Sequence, residues 1–155
     1  MTVRPVRLPD DEPAILSFIW GLQTFENAFE PNRRLDPGFA DEHWADVRRL
    51  VAERGAMFIA ENDGPVGWAF VVEEAGDLFV KESERRYGFI AELYVEASAR
   101  GQGYGRALIA ACEDWSRKRG MTVLIIGMLT GNGKAAAVYQ RDGFAPYNLF
   151  MRKYL

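Results

Sequence analysis

The stretch that most limits what this chain can fold into is Arg100-Gly101-Gln102-Gly103-Tyr104-Gly105. Three alternate glycines admit backbone angles closed to other residues, so successive N–H groups can turn toward one point. A strand-like run from Phe89 to Val95 precedes the turn. A helical run from Gly103 to Gly120 follows it, with Leu108, Ala111, Cys112 and Trp115 on one face. The start of that helix adds unpaired N–H groups and the positive end of its dipole. Strand, glycine turn and helix in this order make a ready site for a pyrophosphate. Arg100 and Arg106 bracket the turn with positive charge. The bland alternative is a tight connection that binds nothing.

Spacing narrows the ligand. The dinucleotide pattern G-x-G-x-x-G fails, because its sixth position falls on Arg106 counted from Gly101 and on Leu108 counted from Gly103. The stretch from Gly127 to Gly133-Lys134 approaches the G-x-x-x-x-G-K-[ST] loop, but it is one residue too long and carries Ala135 in place of Ser or Thr. Ordinary nucleotide loops are disfavoured on both counts.

The rest of the chain reads as one mixed α/β unit. Val3 to Leu8 predicts a first strand. Asp10 and Asp11 offer caps to a helix carrying Ile15, Phe18, Ile19 and Leu22. A second helix, with Trp44, Val47 and Val51 on one face, stops at Gly55. Met57–Glu61 and Val66–Val72 flank Asp63-Gly64, a hairpin signal that predicts an antiparallel pair. The polar stretch Glu73 to Tyr87 predicts a solvated strand end and loop. Thr122–Met128 predicts a short strand, Lys134–Arg141 a short helix, and Phe144–Tyr154 a final strand region. The unit strand–turn–helix–strand sets Phe89–Val95 and Thr122–Met128 parallel.

Composition excludes several function classes. A length of 155 residues fits one domain, residues 1–155, and 19 Lys+Arg against 22 Asp+Glu leave a net charge of −3. No overall basic surface invites nucleic acid, and none is expected as a partner. One cysteine and one histidine fit neither a disulfide framework nor the usual zinc patterns, so no metal is expected. The longest uncharged run, Gly120 to Gly133, has only 14 residues and four glycines, well short of the roughly 20 apolar residues of a membrane span. The first residues lack the apolar core of a signal peptide. The expectation is a soluble, cytoplasmic protein that uses no membrane.

Residues 100–105 match the R/Q-x-x-G-x-G/A signature of the GNAT superfamily, the acetyl-CoA-dependent N-acetyltransferases. The preceding Glu92-Leu93-Tyr94-Val95 and the helix through Trp115 resemble the rest of that family's central motif. A second block, Asn132-Gly133-Lys134-Ala135, then Tyr139, then Gly143-Phe144, resembles its N-x-x-A-x-x-x-Y-x-x-x-G-F pattern. The resemblance implies a mixed, mostly antiparallel sheet splayed at two central parallel strands and flanked by about four helices. It implies acetyl-CoA in the gap. Backbone N–H groups of Gly101, Gln102, Gly103, Tyr104, Gly105 and Arg106, beside Arg100, would hold the pyrophosphate. Main-chain groups of Leu93, Tyr94 and Val95 would pair with the pantetheine arm, with Asn132, Lys134 and Tyr139 meeting the donor from the other side. An acceptor amine on a small molecule or a peptide is implied, and a homodimer is open.

Transfer of an acyl group from a thioester to an amine needs a neutral amine, a stabilised carbonyl oxygen and a proton for the departing thiolate. Tyr139 matches the family's general acid; its alternative role is core packing. Glu92, beside the expected reaction centre, is a candidate base and equally a partly solvated strand carboxylate. Glu61, Glu73 and Glu96 are weaker candidates. Cys112 falls on an apolar helix stripe and reads as a small hydrophobe rather than a nucleophile. His43 reads as a surface or substrate-side residue. Trp20, Phe25, Phe29, Trp44 and Trp68 read as core, with those near residues 26–39 available to line an acceptor pocket. A non-catalytic acyl-CoA-binding module is the competing reading of the same motifs.

Overall fold

Two helices with apolar stripes on the first half of the chain and one on the second half leave a sheet covered on both faces. The computed structural model describes residues 1–155. The order is β1 (Thr2–Pro5), α1 (Glu12–Asn27), α2 (Phe39–Arg54), β2 (Gly55–Glu61), β3 (Pro65–Ala75), α3 (Glu82–Arg85), β4 (Arg86–Val95), α4 (Tyr104–Lys118), β5 (Leu124–Ile126) and α5 (Gly133–Arg141). The five strands stand in sequence order across one sheet. All neighbours are antiparallel except the parallel pair β4 and β5. The β2–β3 hairpin turns where expected, with Asp63 and Gly64 at positive φ.

One face of the sheet packs Ile59, Trp68, Phe70 and Val72 against Ile15, Phe18 and Ile19 of α1 and Trp44 and Val47 of α2. The other face packs Ala60, Ala69, Val71 and Ile90 against Leu108, Ile109 and Cys112 of α4. Each fully buried Leu, Ile or Phe contributes about 1.5–3 kcal/mol by leaving water. α1 and α4 thereby fix the two walls of whatever lies along β4.

Four expectations change. β1 ends at Pro5, short of Leu8, and Asp11 does not cap α1 with its side chain. Its carboxylate accepts from both Arg4 guanidinium ends, at 2.7 and 2.9 Å, and from the Arg7 N–H. The guanidinium of the half-buried Arg4 outcompetes the helix N–H groups for the same oxygens. Residues 144–154 form no strand. Large apolar side chains there, Phe150 and Met151 among them, stay exposed, and β5 closes the sheet edge instead of standing inside it. The polar loop expected from residue 73 begins later, since β3 runs to Ala75, and α3 is one turn within it.

Candidate active site

β4 is ten residues long, yet only Gly88, Phe89 and Ile90 pair with β5. From Ala91 to Val95 the strand keeps β3 on one side and has no strand on the other. Alternate main-chain groups there face an open gap. This is the splay that the second-half motifs imply. A bulge opens it: Phe70 lies opposite Glu92 and Val71 opposite Ile90, which leaves Ala91 as the extra residue. The bulge also slips the alternation, so Glu92 shares its face with Phe70 and points toward α1 and α2.

The glycine turn closes the far end of β4. Gly101 and Gly103 sit at φ +75° and +91°, the left-handed region that side chains with a Cβ seldom adopt. Gly103 occupies the position before α4, and the first bond of that helix runs from Ala107 N–H to the Gly103 carbonyl. Six consecutive N–H groups, Gly101 through Arg106, therefore donate to nothing in the protein. Together with the positive end of a helix dipole they form an anion cradle built from backbone alone. Tyr104 turns its ring into the core and offers only its main chain.

The flanking cations are held by the protein itself. Arg100 donates from Nε to the Val95 carbonyl at 2.9 Å and lies 4.8 Å above the Phe25 ring and 5.7 Å from that of Tyr94. It locks the turn back onto β4 and α1 rather than standing beside the cradle as a free charge. Arg106 pairs with Asp142 at 2.6 Å and so ties the start of α4 to the end of α5. A groove of about 500 Å³ runs there between Arg106, Ile109, Arg141 and Gly143.

Tyr94 shapes the other wall. Its ring packs 5.9 Å from Phe18, and a Cβ on Gly21 would stand 2.6 Å from its hydroxyl oxygen. The glycine in the middle of α1, which costs about 1 kcal/mol against alanine, is explained by this ring.

On the second block, Asn132 spends its Oδ1 on capping α5, accepting from Ala135 N–H at 3.1 Å. Its amide nitrogen remains available, and Lys134 is exposed. Tyr139 packs on the α4 face beside Phe144, ring centroids 6.0 Å apart, and its hydroxyl makes no hydrogen bond. Burial, then the charge of Glu26, pushes its pKa above the ordinary phenol value, so the phenol keeps its proton. Cys112 is fully buried and its thiol is pushed up to about 12, which leaves no thiolate for a nucleophilic role. Glu61 and Glu73 are engaged elsewhere, with Arg4 and with Arg86 and Arg119.

His43, read as a surface or substrate-side residue, has a partner that the sequence does not show. Its Nε2 meets Glu92 Oε1 in a short hydrogen bond, and Phe39 stacks on its ring at 5.4 Å and 11°. Glu92 Oε2 is buried and has no partner. The hydrogen bond to Glu92 raises the pKa of the imidazole and its burial opposes that rise. Nothing in the local sequence signals this pair, because its members stand 49 positions apart. Trp44 and Trp68 are core as expected, whereas Trp20 and Phe29 are partly exposed. A separate cavity of about 360 Å³, lined by Val80, Tyr87, Leu124 and Tyr147, lies at the start of β4, away from this site. No cluster of side chains suited to a metal is present, and no helix is long and apolar enough to cross a membrane.

Comparison with known proteins agrees with the geometry. The sequence profile of the Acetyltransferase (GNAT) family matches residues 19–144. An IAA acetyltransferase from Azospirillum brasilense is 31% identical over 119 residues, which cover 70% of this chain and 68% of that protein. A mycothiol acetyltransferase from Amycolatopsis mediterranei (strain U-32) is 34% identical over 103 residues, 64% of this chain but only 33% of that protein. The fold of an aminoglycoside 6'-N-acetyltransferase from Acinetobacter haemolyticus superposes with a TM-score of 0.74 at 16% identity, covering 100% of this chain and 99% of that one.

Proposed function

The chain belongs to the GNAT acetyltransferase family, and on that premise we propose that it moves an acetyl group from acetyl-CoA to a primary amine by direct attack, with residues 1–155 as the catalytic domain. The observation that carries this reading is the run of six unpartnered N–H groups at Gly101–Arg106, set at the end of a strand whose neighbour has splayed away. A pyrophosphate fits that cradle and a pantetheine arm fits the open edge at Leu93–Val95. Acetyl-CoA supplies a thioester, whose acetyl group passes to the amine while the CoA thiol is released.

The residues then divide the work. Asn132, through its free amide nitrogen, and Lys134 meet the donor from the α5 side. A main-chain N–H at Tyr94 or Val95 steadies the carbonyl oxygen as it takes up charge. Tyr139, kept protonated by burial, gives its proton to the departing sulfur. Glu92 lies on the α1/α2 face of β4 and Tyr139 on the α4 face, so base and acid approach the gap from opposite sides. The carboxylate of Glu92 anchors the basic side.

The acceptor enters from the first half of the chain, where α1, α2 and the connection between them border Glu92. A structural neighbour is an aminoglycoside acetyltransferase, which is in line with a small-molecule amine as the acceptor. The test mixes the protein with acetyl-CoA and neamine, spermidine, a short peptide or an amino acid, and follows free thiol. Saturable thiol release with one of these amines is expected. Tight CoA binding with no release from any of them would favour the non-catalytic module instead.

A further inference from the structure

α2 presents Phe39, His43 and Val47 along one stripe at four-residue spacing, and Val47 is buried in the core below. His43 therefore stands where that stripe leaves the core, its side chain 31% exposed against 13% for Glu92. The β4 bulge is what swings Glu92 onto this face. Without the extra residue at Ala91, Glu92 would point toward α4 and never reach the imidazole. Two separate features thus converge on one pair: the bulge, and the stripe of α2, whose Phe39 ring fixes the imidazole plane.

We infer that His43 and Glu92 form a proton-accepting dyad in which the imidazole, oriented by the carboxylate, takes the proton that the acceptor amine must lose. The inference rests on the acetyl-transfer reading and assigns its basic side. With Nε2–H donated to Glu92 Oε1, the neutral ring presents Nδ1 as its free acceptor, and no protein group donates to Nδ1. The amine nitrogen forms the new bond to the acetyl carbon as its N–H proton passes to Nδ1. The carbon–sulfur bond breaks, and the sulfur takes the proton of Tyr139. Solvent then carries a proton from His43 back to Tyr139, and both return to their starting state.

Chemistry favours the ring over the carboxylate as the carrier. An imidazole, with an ordinary pKa near 6.5, is matched to taking and releasing a proton at neutral pH, and the carboxylate is already engaged with its Nε2. Glu92 strengthens the match by stabilising the charged ring, as a carboxylate orients and steadies histidine in a hydrolytic triad. Of the charges on α1, α2 and the sheet, Glu92 of β4 and Asp46 on the next turn of α2 act on the ring, and both favour its protonated form.

The experiment has an acceptor-independent arm and a kinetic arm. His43 is the only histidine in the chain, so its ring signal in an NMR titration needs no assignment. Its midpoint should lie above the ordinary value of 6.5 and fall toward it in Glu92→Gln. The kinetic arm uses whichever amine of the panel gives the fastest thiol release. His43→Ala should lower kcat about 100-fold, leave acetyl-CoA affinity within about twofold, and regain at least about tenfold on adding free imidazole. His43→Gln, which keeps a donor toward Glu92, should be as slow as His43→Ala and should not respond to imidazole. A His43→Ala enzyme with wild-type kcat overturns the dyad, as does loss without imidazole rescue or a midpoint unmoved by Glu92→Gln. Wild-type protein that binds no acetyl-CoA and releases no thiol overturns the acetyl-transfer reading and the dyad with it.

Discussion

The two faces of the sheet recognise by different means. On the α4 face, the cradle at Gly101–Arg106 is made of backbone N–H groups, and side chains act only as its frame: Arg100 clamps the turn to Phe25 and Tyr94, and Tyr104 fills core. On the α1/α2 face, the groups that could meet a ligand are side chains, His43, Glu92, Phe39 and Tyr94, drawn from a helix and a strand. A backbone cradle depends on dihedral angles and tolerates little change of sequence at the glycines. A side-chain cluster depends on packing and can be remade for another amine. The contrast fits a donor that stays the same and an acceptor that varies.

Four measurements press on that contrast. Tyr139→Phe should cut kcat about 100-fold while leaving acetyl-CoA affinity unchanged, since a phenyl ring keeps the packing beside Phe144 and loses only the proton donor. Equal loss in both quantities would make Tyr139 part of the frame. Gly103→Val should weaken acetyl-CoA binding about 30-fold, roughly 2 kcal/mol, because a β-branched residue resists φ +91° and the N–H groups lose their common aim. Its acceptor KM should stay within about twofold; a matching rise there would erase the distinction between the faces. Gly21→Ala should do the reverse, raising acceptor KM several-fold (on the order of 1 kcal/mol) by pushing on the Tyr94 hydroxyl, with donor affinity intact. The smallest effect concerns pH. The folded state raises the pKa of His43, so the pair with Glu92 contributes stability that is complete below the unfolded value near 6.5 and lost as pH rises through the folded value. Thermal melts should show wild type losing a small increment across that window and His43→Gln losing none.

The same contrast explains what could be read from the sequence. The glycine turn, the hairpin at Asp63-Gly64 and the helices through Phe18, Trp44 and Leu108 are local features, written in spacing and in residues with special dihedral freedom. Glu92 was legible as a strand carboxylate near the splay. Its partner was not, because His43 lies on another element and the bulge at Ala91 decides which face Glu92 takes. A bulge leaves no mark in a run such as Phe89–Val95, where apolar residues occupy both faces. Residues 144–154 show the opposite error: a run rich in large apolar side chains favours a strand, but a strand needs a hydrogen-bonded neighbour, and the short β5 is left as the sheet edge. Asp11 shows that a capping residue close to an arginine gives its oxygens to the stronger donor.

The most direct test of the account is an amide NMR titration with CoA. Saturable shifts should concentrate at Gly101–Arg106 and along Ala91–Val95, with a reduced response at the turn in Gly103→Val. No saturable shift, or shifts centred instead on the cavity lined by Tyr87, Leu124 and Tyr147, would contradict it.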